Sequence, residues 1–492
     1  MNISPIHFSD FYKTDHRRQY PVGTESVYSN MTARGSRIPE IDKVVVFGLQ
    51  YFVHEYLIKR FQRDFFDQPK AEVISKYKRR LDNALGFGAV SMEHMEALHD
   101  LGYLPIHIKA LPEGSRCPMR IPFVTITETD TDFFWLVNFL ETLMSNAIWH
   151  PITTATIAHE YRVLLDAAAR KSSDCPGFVE WQGHDFSMRG HTSLESSCVS
   201  GMAHLTSFYG TDTIPAIDFL EEYYDANSDK ENIGNSVYAT EHSVMCMGGE
   251  ATELDTFRRL ITEVYPKSII SIVSDTWDYF GILTKTLPTL KDEIMARDGK
   301  VVIRPDSGDP VKIVCGDPDA LVDSPESKGT IQLLWDVFGG KVNSKGYREL
   351  DPHIGAIYGD SITYDRAKQI TDQLMAQGFA STNIVFGIGS YTYQYVTRDT
   401  FGFAIKATSG MINGNRVSIA KNPKTDNGLK KSAKGLLRVD QIRGAHGVTG
   451  FTLTEDVTPG EELEGALEVI FSDGEPGRKQ TLSEIRARLA QG

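Results

Sequence analysis

Four short β-branched runs recur along the middle of the chain, each closing on a polar turn that leads into helix-like sequence. Ser268–Val273 runs into Ser274-Asp275-Thr276-Trp277-Asp278, and Lys300–Arg304 into Pro305-Asp306-Ser307-Gly308-Asp309. Gly355–Tyr358 runs into Gly359-Asp360-Ser361, and Asn383–Phe386 into Gly387-Ile388-Gly389-Ser390. Runs this short and apolar suit strands covered on both faces, as in a parallel sheet. Their spacing, roughly 30 to 55 residues, leaves room for crossover helices. Repeated strand–loop–helix units predict an α/β barrel or open sheet whose ligands gather at the carboxyl ends of the strands.

The flanks follow a different pattern. Ile106–Glu113 and Ile121–Thr127 read as antiparallel strands with prolines at their edges. One helix is expected from about Asp132 to Pro151 and a second from about Thr153 to Lys171. Beyond residue 400, the strand-like pieces Phe401–Thr408, Arg416–Lys421, Gly450–Leu453 and Leu467–Phe471 alternate with Asn-Gly and Asp-Gly turns. Thr481-Leu-Ser-Glu484 is a capping box that opens a closing helix. Residues 151–390 are therefore expected to form the α/β unit, with 1–150 and 391–492 joining in a flanking α+β domain.

Composition narrows the function classes. The chain has 492 residues, 41% hydrophobic and 24% charged, with 25 Phe, 20 Tyr and 5 Trp, which excludes wholesale disorder. The net charge of −14 speaks against a general nucleic-acid or anionic-membrane binder. No run of about 18 apolar residues spans a membrane, and the first residues lack the apolar core of a secretory signal. The five cysteines form no CxxC pair, so reduced thiols in a cytoplasmic protein are expected and a cysteine zinc site is not.

GxxxxGK[ST], GxSxG and HExxH are all absent, and Gly387-Ile-Gly389 lacks the third glycine of a dinucleotide loop. The segment Lys300–Asp309 says more, since an Arg, two Asp and a Gly follow a buried strand. Arg offers a planar fork for phosphate or a stacking face, and Asp accepts from hydroxyls or from metal-bound water. A tight turn with a surface ion pair is the plainer alternative. Gly359-Asp360 and Gly389-Ser390 repeat the theme: glycine lets backbone approach an anion, and Asp can take ribose hydroxyls. Turn chemistry explains either loop alone. His242 is the candidate nucleophile or acid–base group, with Asp278 as the carboxylate that would fix its tautomer. Asp212 stands just before a helix start and is either an N-cap or a ligand group, and His184-Asp-Phe186-Ser-Met-Arg189 sets an aromatic ring beside an Arg. From Arg416 to Arg443 there are eight basic and two acidic residues, a solvated loop or a counter-charge for a phosphate-rich substrate.

Taken in order, these segments resemble the nicotinamide phosphoribosyltransferases. The likeness runs from Asp10-Phe-Tyr12-Lys-Thr-Asp-His16 through His184–Gly190, Gly210-Thr-Asp-Thr213, Glu241-His-Ser243, Ile303–Gly308 and Tyr358-Gly-Asp360 to Thr397-Arg-Asp399. It implies the type II phosphoribosyltransferase fold, an irregular α/β barrel with a flanking α+β domain, working as a homodimer with active sites at the interface. It also implies a reaction joining nicotinamide to 5-phosphoribosyl 1-pyrophosphate, with release of pyrophosphate.

By the same resemblance, Phe186 and Arg304 belong to the pyridine slot with Tyr12 of the second subunit, and Asp212 accepts from the carboxamide. Arg189, Gly389 and Ser390 fall to the phosphates, joined by Arg34, Arg398, Lys406 and Lys430 across the dimer. Ser390 departs from the family's glycine. Asp306, Gly359 and Asp360 fall to the ribose or to the waters of Mg²⁺, with no residue assigned as a direct metal ligand. His242 is expected to take a phosphoryl group from ATP, with Asp278 beside it. The rivals are a nicotinate phosphoribosyltransferase, a barrel glycosidase with paired carboxylates, and a non-catalytic nucleotide-binding protein on the same scaffold.

Overall fold

A computed structural model describes residues 3–420, 432–444 and 447–491. The chain divides into two compact units, Met1–Thr156 with Phe219–Asn227 and Val396–Gly492, and Ile157–Asp218 with Ser228–Tyr395. The divisions thus fall at 156 and 395 instead of 150 and 390, and the short piece 219–227 goes with the flanking unit. Side-chain chemistry accounts for that piece. Tyr224 stacks on Phe47 at 5.0 Å and donates to the buried carboxylate of Glu113 at 2.9 Å, while Tyr223 donates to Glu55 at 2.9 Å.

The first unit is built around an antiparallel sheet drawn from both chain ends. Its strands lie in the order Asn415–Ser418, Phe403–Ile412, Thr24–Ala33, Pro122–Glu128, Ile106–Ala110, Glu468–Ser472 and Glu475–Pro476. The expected pairing of the two proline-flanked strands is present, with Ile108 opposite Ile126. The closing helix, Leu482–Gln491, starts on a reciprocal capping box: Thr481 N–H donates to Glu484 Oε2 at 2.8 Å and Glu484 N–H to Thr481 Oγ1 at 3.2 Å. The two helices expected to meet at Pro151 are instead one helix, Glu141–Ser172, with the proline inside it. Every residue from His150 to His159 is buried, and packing on that scale, about 1.5–3 kcal/mol per large apolar side chain, offsets the hydrogen bond the proline removes. Gly48 gives the Pro151 ring its space, since a Cβ there would lie 2.6 Å from Pro151 Cγ.

The second unit is a seven-stranded parallel sheet. We number its strands β1 (Gly183–Asp185), β2 (Gly210–Thr211), β3 (Tyr238–Ala239), β4 (Ile270–Val273), β5 (Val301–Arg304), β6 (Ile354–Tyr358) and β7 (Ile384–Ile388). Their order is β2-β1-β7-β6-β5-β4-β3. A parallel bridge between Gly210 and Asn235, just ahead of β3, joins the two edges and closes the sheet into an irregular barrel. All of β4 and β6 is buried, as the continuous apolar runs require. The crossover helix Tyr364–Ala376 buries Ala367, Ile370, Thr371 and Leu374, an i, i+3, i+4, i+7 stripe, and Thr363 caps it by accepting from Arg366 N–H.

Candidate active site

Parallel strands bring all seven carboxyl ends to one rim, and each end carries polar groups within a few residues. At β1 the period of two turns His184 and Asp185 to opposite faces. His184 Nε2 lies 2.8 Å from Asp212 Oδ1 at the end of β2, and Ser236 Oγ donates to the same oxygen at 2.6 Å. Both bonds fall on Oδ1. Burial pushes the Asp212 carboxyl up, but the hydrogen bonds from His184 and Ser236 and the Arg304 charge outweigh it, so the acid sits below its ordinary range.

Phe186 follows Asp185, its N–H bonded to Ile388 O at 3.0 Å, and its ring stands 4.9 Å from that of His184. Glycine is required around it. A Cβ on Gly359 would come within 2.9 Å of the ring, and one on Gly387 would overlap it. Arg304, at the end of β5, donates from Nη2 to Thr240 O at 2.6 Å. Its Nε is buried without a partner among the described residues. Its charge is felt by Asp306 and Asp212, and it feels Arg189 in turn. Burial raises the Asp306 acid above its ordinary range, Arg304 opposes this, and Asp275 and Asp360 add to it. Tyr358 braces the β5 loop by donating to Ser307 O and Gly308 O at 3.0 and 2.9 Å. Ser390 lies against Gly190, where no Cβ would fit, and so sits beside the loop of Arg189.

One assignment is corrected. Asp278 does not hold His242: its Oδ1 caps the short helix Tyr279–Gly281, accepting from Gly281 N–H at 2.9 Å. The partner is Asp275, whose Oδ1 lies 3.2 Å from His242 Nε2. Asp275 Oδ2 accepts from Asp306 N–H at 3.1 Å and Ser307 Oγ at 2.5 Å. The Asp275 side chain is 6% exposed and His242 47%, a fixed carboxylate behind an accessible imidazole. The clue was present in the sequence: Asp275 stands two residues past its strand, as Asp306 and Asp360 do past theirs.

The barrel unit thus carries Phe186, Arg189, Asp212, His242, Arg304, Asp306, Gly359, Asp360, Gly389 and Ser390. Tyr12, Arg34, Arg398 and Lys406 belong to the other unit. There Tyr12 is 64% exposed, Arg34 Nε donates to Gly402 O at 2.9 Å, Arg398 pairs with Asp399 at 3.5 Å, and Lys406 lies 3.9 Å from Glu141. Lys430 lies outside the described residues. Sequence reasoning passed over Asp275, Ser236 and the buried Asp185, and gave His184 no role.

Residues 181–465 match the nicotinate phosphoribosyltransferase (NAPRTase) family, and residues 5–108 match the nicotinamide phosphoribosyltransferase N-terminal domain. The chain is 54% identical over 500 residues to the nicotinamide phosphoribosyltransferase of Acinetobacter baylyi, covering 99% of this chain and 97% of that one. The chain belongs to the nicotinamide phosphoribosyltransferase family. It is accordingly a phosphoribosyltransferase. Other family members include that of Xanthomonas campestris, 33% identical over 97% of this chain and 96% of that one. The fold of this phosphoribosyltransferase is shared with a nicotinate-nucleotide pyrophosphorylase from Pyrococcus furiosus (TM-score 0.58, 13% identity, covering 99% and 95%). Human nicotinic acid phosphoribosyltransferase shares it too (TM-score 0.53, 15% identity, covering 98% and 93%). Among the described residues no helix is long and apolar enough to cross a membrane.

Proposed function

We propose that the barrel joins nicotinamide to 5-phosphoribosyl 1-pyrophosphate, giving nicotinamide mononucleotide and pyrophosphate in NAD salvage. The ring nitrogen of the pyridine attacks the anomeric carbon as pyrophosphate leaves, and the protein's task is alignment and charge stabilisation. The observation that carries this reading is the Asp212 carboxylate, kept ionised by His184 and Ser236 with one oxygen unused. Such a group accepts from a carboxamide NH₂ and repels a carboxylate, which favours nicotinamide over nicotinate. Phe186 stacks the pyridine, Arg304 covers it, and Tyr12 of a second subunit closes the slot.

Arg189, Gly389 and Ser390 take phosphate oxygens, with Arg34, Arg398, Lys406 and Lys430 of the second copy. Asp306, Gly359 and Asp360 face the ribose. Among the described residues no group of three or more His, Cys, Asp or Glu side chains is arranged to hold a metal. Asp306 and Asp360 would take the waters of a Mg²⁺ that neutralises charge on the pyrophosphate. For ATP coupling, Asp275 can only accept, so it fixes the proton on His242 Nε2 and leaves Nδ1 as the nucleophile toward a phosphoryl group. The protein is read as a cytoplasmic homodimer.

The test is a competition between labelled nicotinamide and nicotinate with phosphoribosyl pyrophosphate and Mg²⁺, with and without ATP. Formation of nicotinamide mononucleotide in preference to the acid product, stimulated by ATP, is the expected result. Preference for nicotinate overturns the assignment of Asp212.

A further inference from the structure

Asp185 is wholly buried at the end of β1, and no step proposed above uses it. Its Oδ1 accepts from Ser187 N–H at 2.9 Å and Ser187 Oγ at 2.6 Å, shaping the turn into the Met188–Gly190 loop that bears Arg189. Its Oδ2 accepts from Thr213 Oγ1 at 2.7 Å, and its carbonyl accepts from Asp212 N–H at 3.0 Å. One residue thus grips the loop assigned to phosphate and the loop assigned to the pyridine. The link continues outward, because His191 bonds Ser187 Oγ at 2.9 Å through one ring nitrogen and Gln394 at 2.9 Å through the other, beside the Ser390 turn.

We propose that Asp185 is a positioning residue for the transfer step, holding the nicotinamide loop and the phosphate loop in register so that the ring nitrogen meets the anomeric carbon. The inference rests on the reaction assigned above. A buried carboxylate with three side-chain and main-chain donors is far stiffer than either loop alone, and in-line attack tolerates little misplacement. Each substrate is still bound by its own loop when the link is cut. The loss therefore falls on kcat and spares both KM values.

The experiment compares wild type, Ser187→Ala, Thr213→Val and the double variant, with kcat, both KM values and a thermal melt for each. Either single substitution removes the side-chain bond of one arm, leaving that arm only its main-chain bond to Asp185, from Ser187 N–H or Asp212 N–H, and lowers kcat about tenfold. The double variant loses little more than the worse single, because register between the loops needs both side-chain arms and is already lost with one of them. Multiplicative losses, or raised KM with kcat intact, overturn the positioning role. If a variant fails to fold, Asp185→Asn carries the test: it keeps an acceptor for Ser187 and can donate to Thr213. It therefore retains kcat well above Asp185→Ala, and equal losses in the two count against the proposal. Wild type is assayed first, and absence of mononucleotide there overturns the reaction itself.

Discussion

Replacing Asp212 by Asn keeps the shape of the group and both of its hydrogen bonds at Oδ1 while removing the charge. Two unit charges about 4 Å apart interact by about 1 kcal/mol in bulk water and about 4 kcal/mol at an effective dielectric near 20. The Asp212 side chain is 46% exposed, so the repulsion of a nicotinate carboxylate falls between those limits. Its removal raises kcat/KM for nicotinate by about fivefold to several hundredfold. Nicotinamide loses a charge-assisted acceptor, a change of about 1.5–3 kcal/mol if the new amide cannot replace it. The ratio of the two specificity constants, measured by competition with both pyridines in one vessel, therefore shrinks by at least tenfold, taking both effects together. A ratio within about twofold of wild type refutes the electrostatic argument.

The histidine pair separates two aspartates three residues apart. Asp275→Asn should lower ATP hydrolysis on the order of a hundredfold, whereas Asp278→Ala should leave it intact and reduce stability by about 1 kcal/mol as a lost cap; the reverse pattern in an ATPase assay restores Asp278 to the site. His242→Ala should abolish ATP hydrolysis yet keep ATP-independent synthesis, and persistent ATP stimulation contradicts the phosphohistidine. Gly387→Ala drives a methyl into the Phe186 ring, at about 1–3 kcal/mol of overpacking, which should appear as a raised KM for nicotinamide with KM for the phosphoribosyl donor unchanged. Burial, with Glu250 and Asp278 nearby, pushes the Glu253 carboxyl up to about 7. Its folded acid is weaker than its unfolded one, so its stabilising contribution is full below the unfolded value and is lost as pH rises through about 7. Glu253→Gln should therefore gain melting temperature over wild type at about pH 8 relative to about pH 5.5, and a constant difference across that window counts against the shifted acid.

Strands β4 to β7 were legible because each is a short, mostly apolar run, with β4 and β6 buried throughout, and burial on both faces leaves a mark in composition. The Asp, Gly and Arg residues that follow them were legible for the same reason, since a strand that ends must turn, and what the turn carries stands on the rim. Strands β1 to β3 left no such mark: they are two or three residues long and include His184, Asp185 and Thr211. Only the closed sheet gives them partners. Residues 219–227 likewise joined the flanking unit through two tyrosine hydroxyls, which no local pattern reports. The bond of His242 to Asp275 and that of Asp185 to Thr213 join residues far apart in the chain. Sequence periodicity records which face of an element is buried, whereas direction and distance between side chains exist only once the elements have packed.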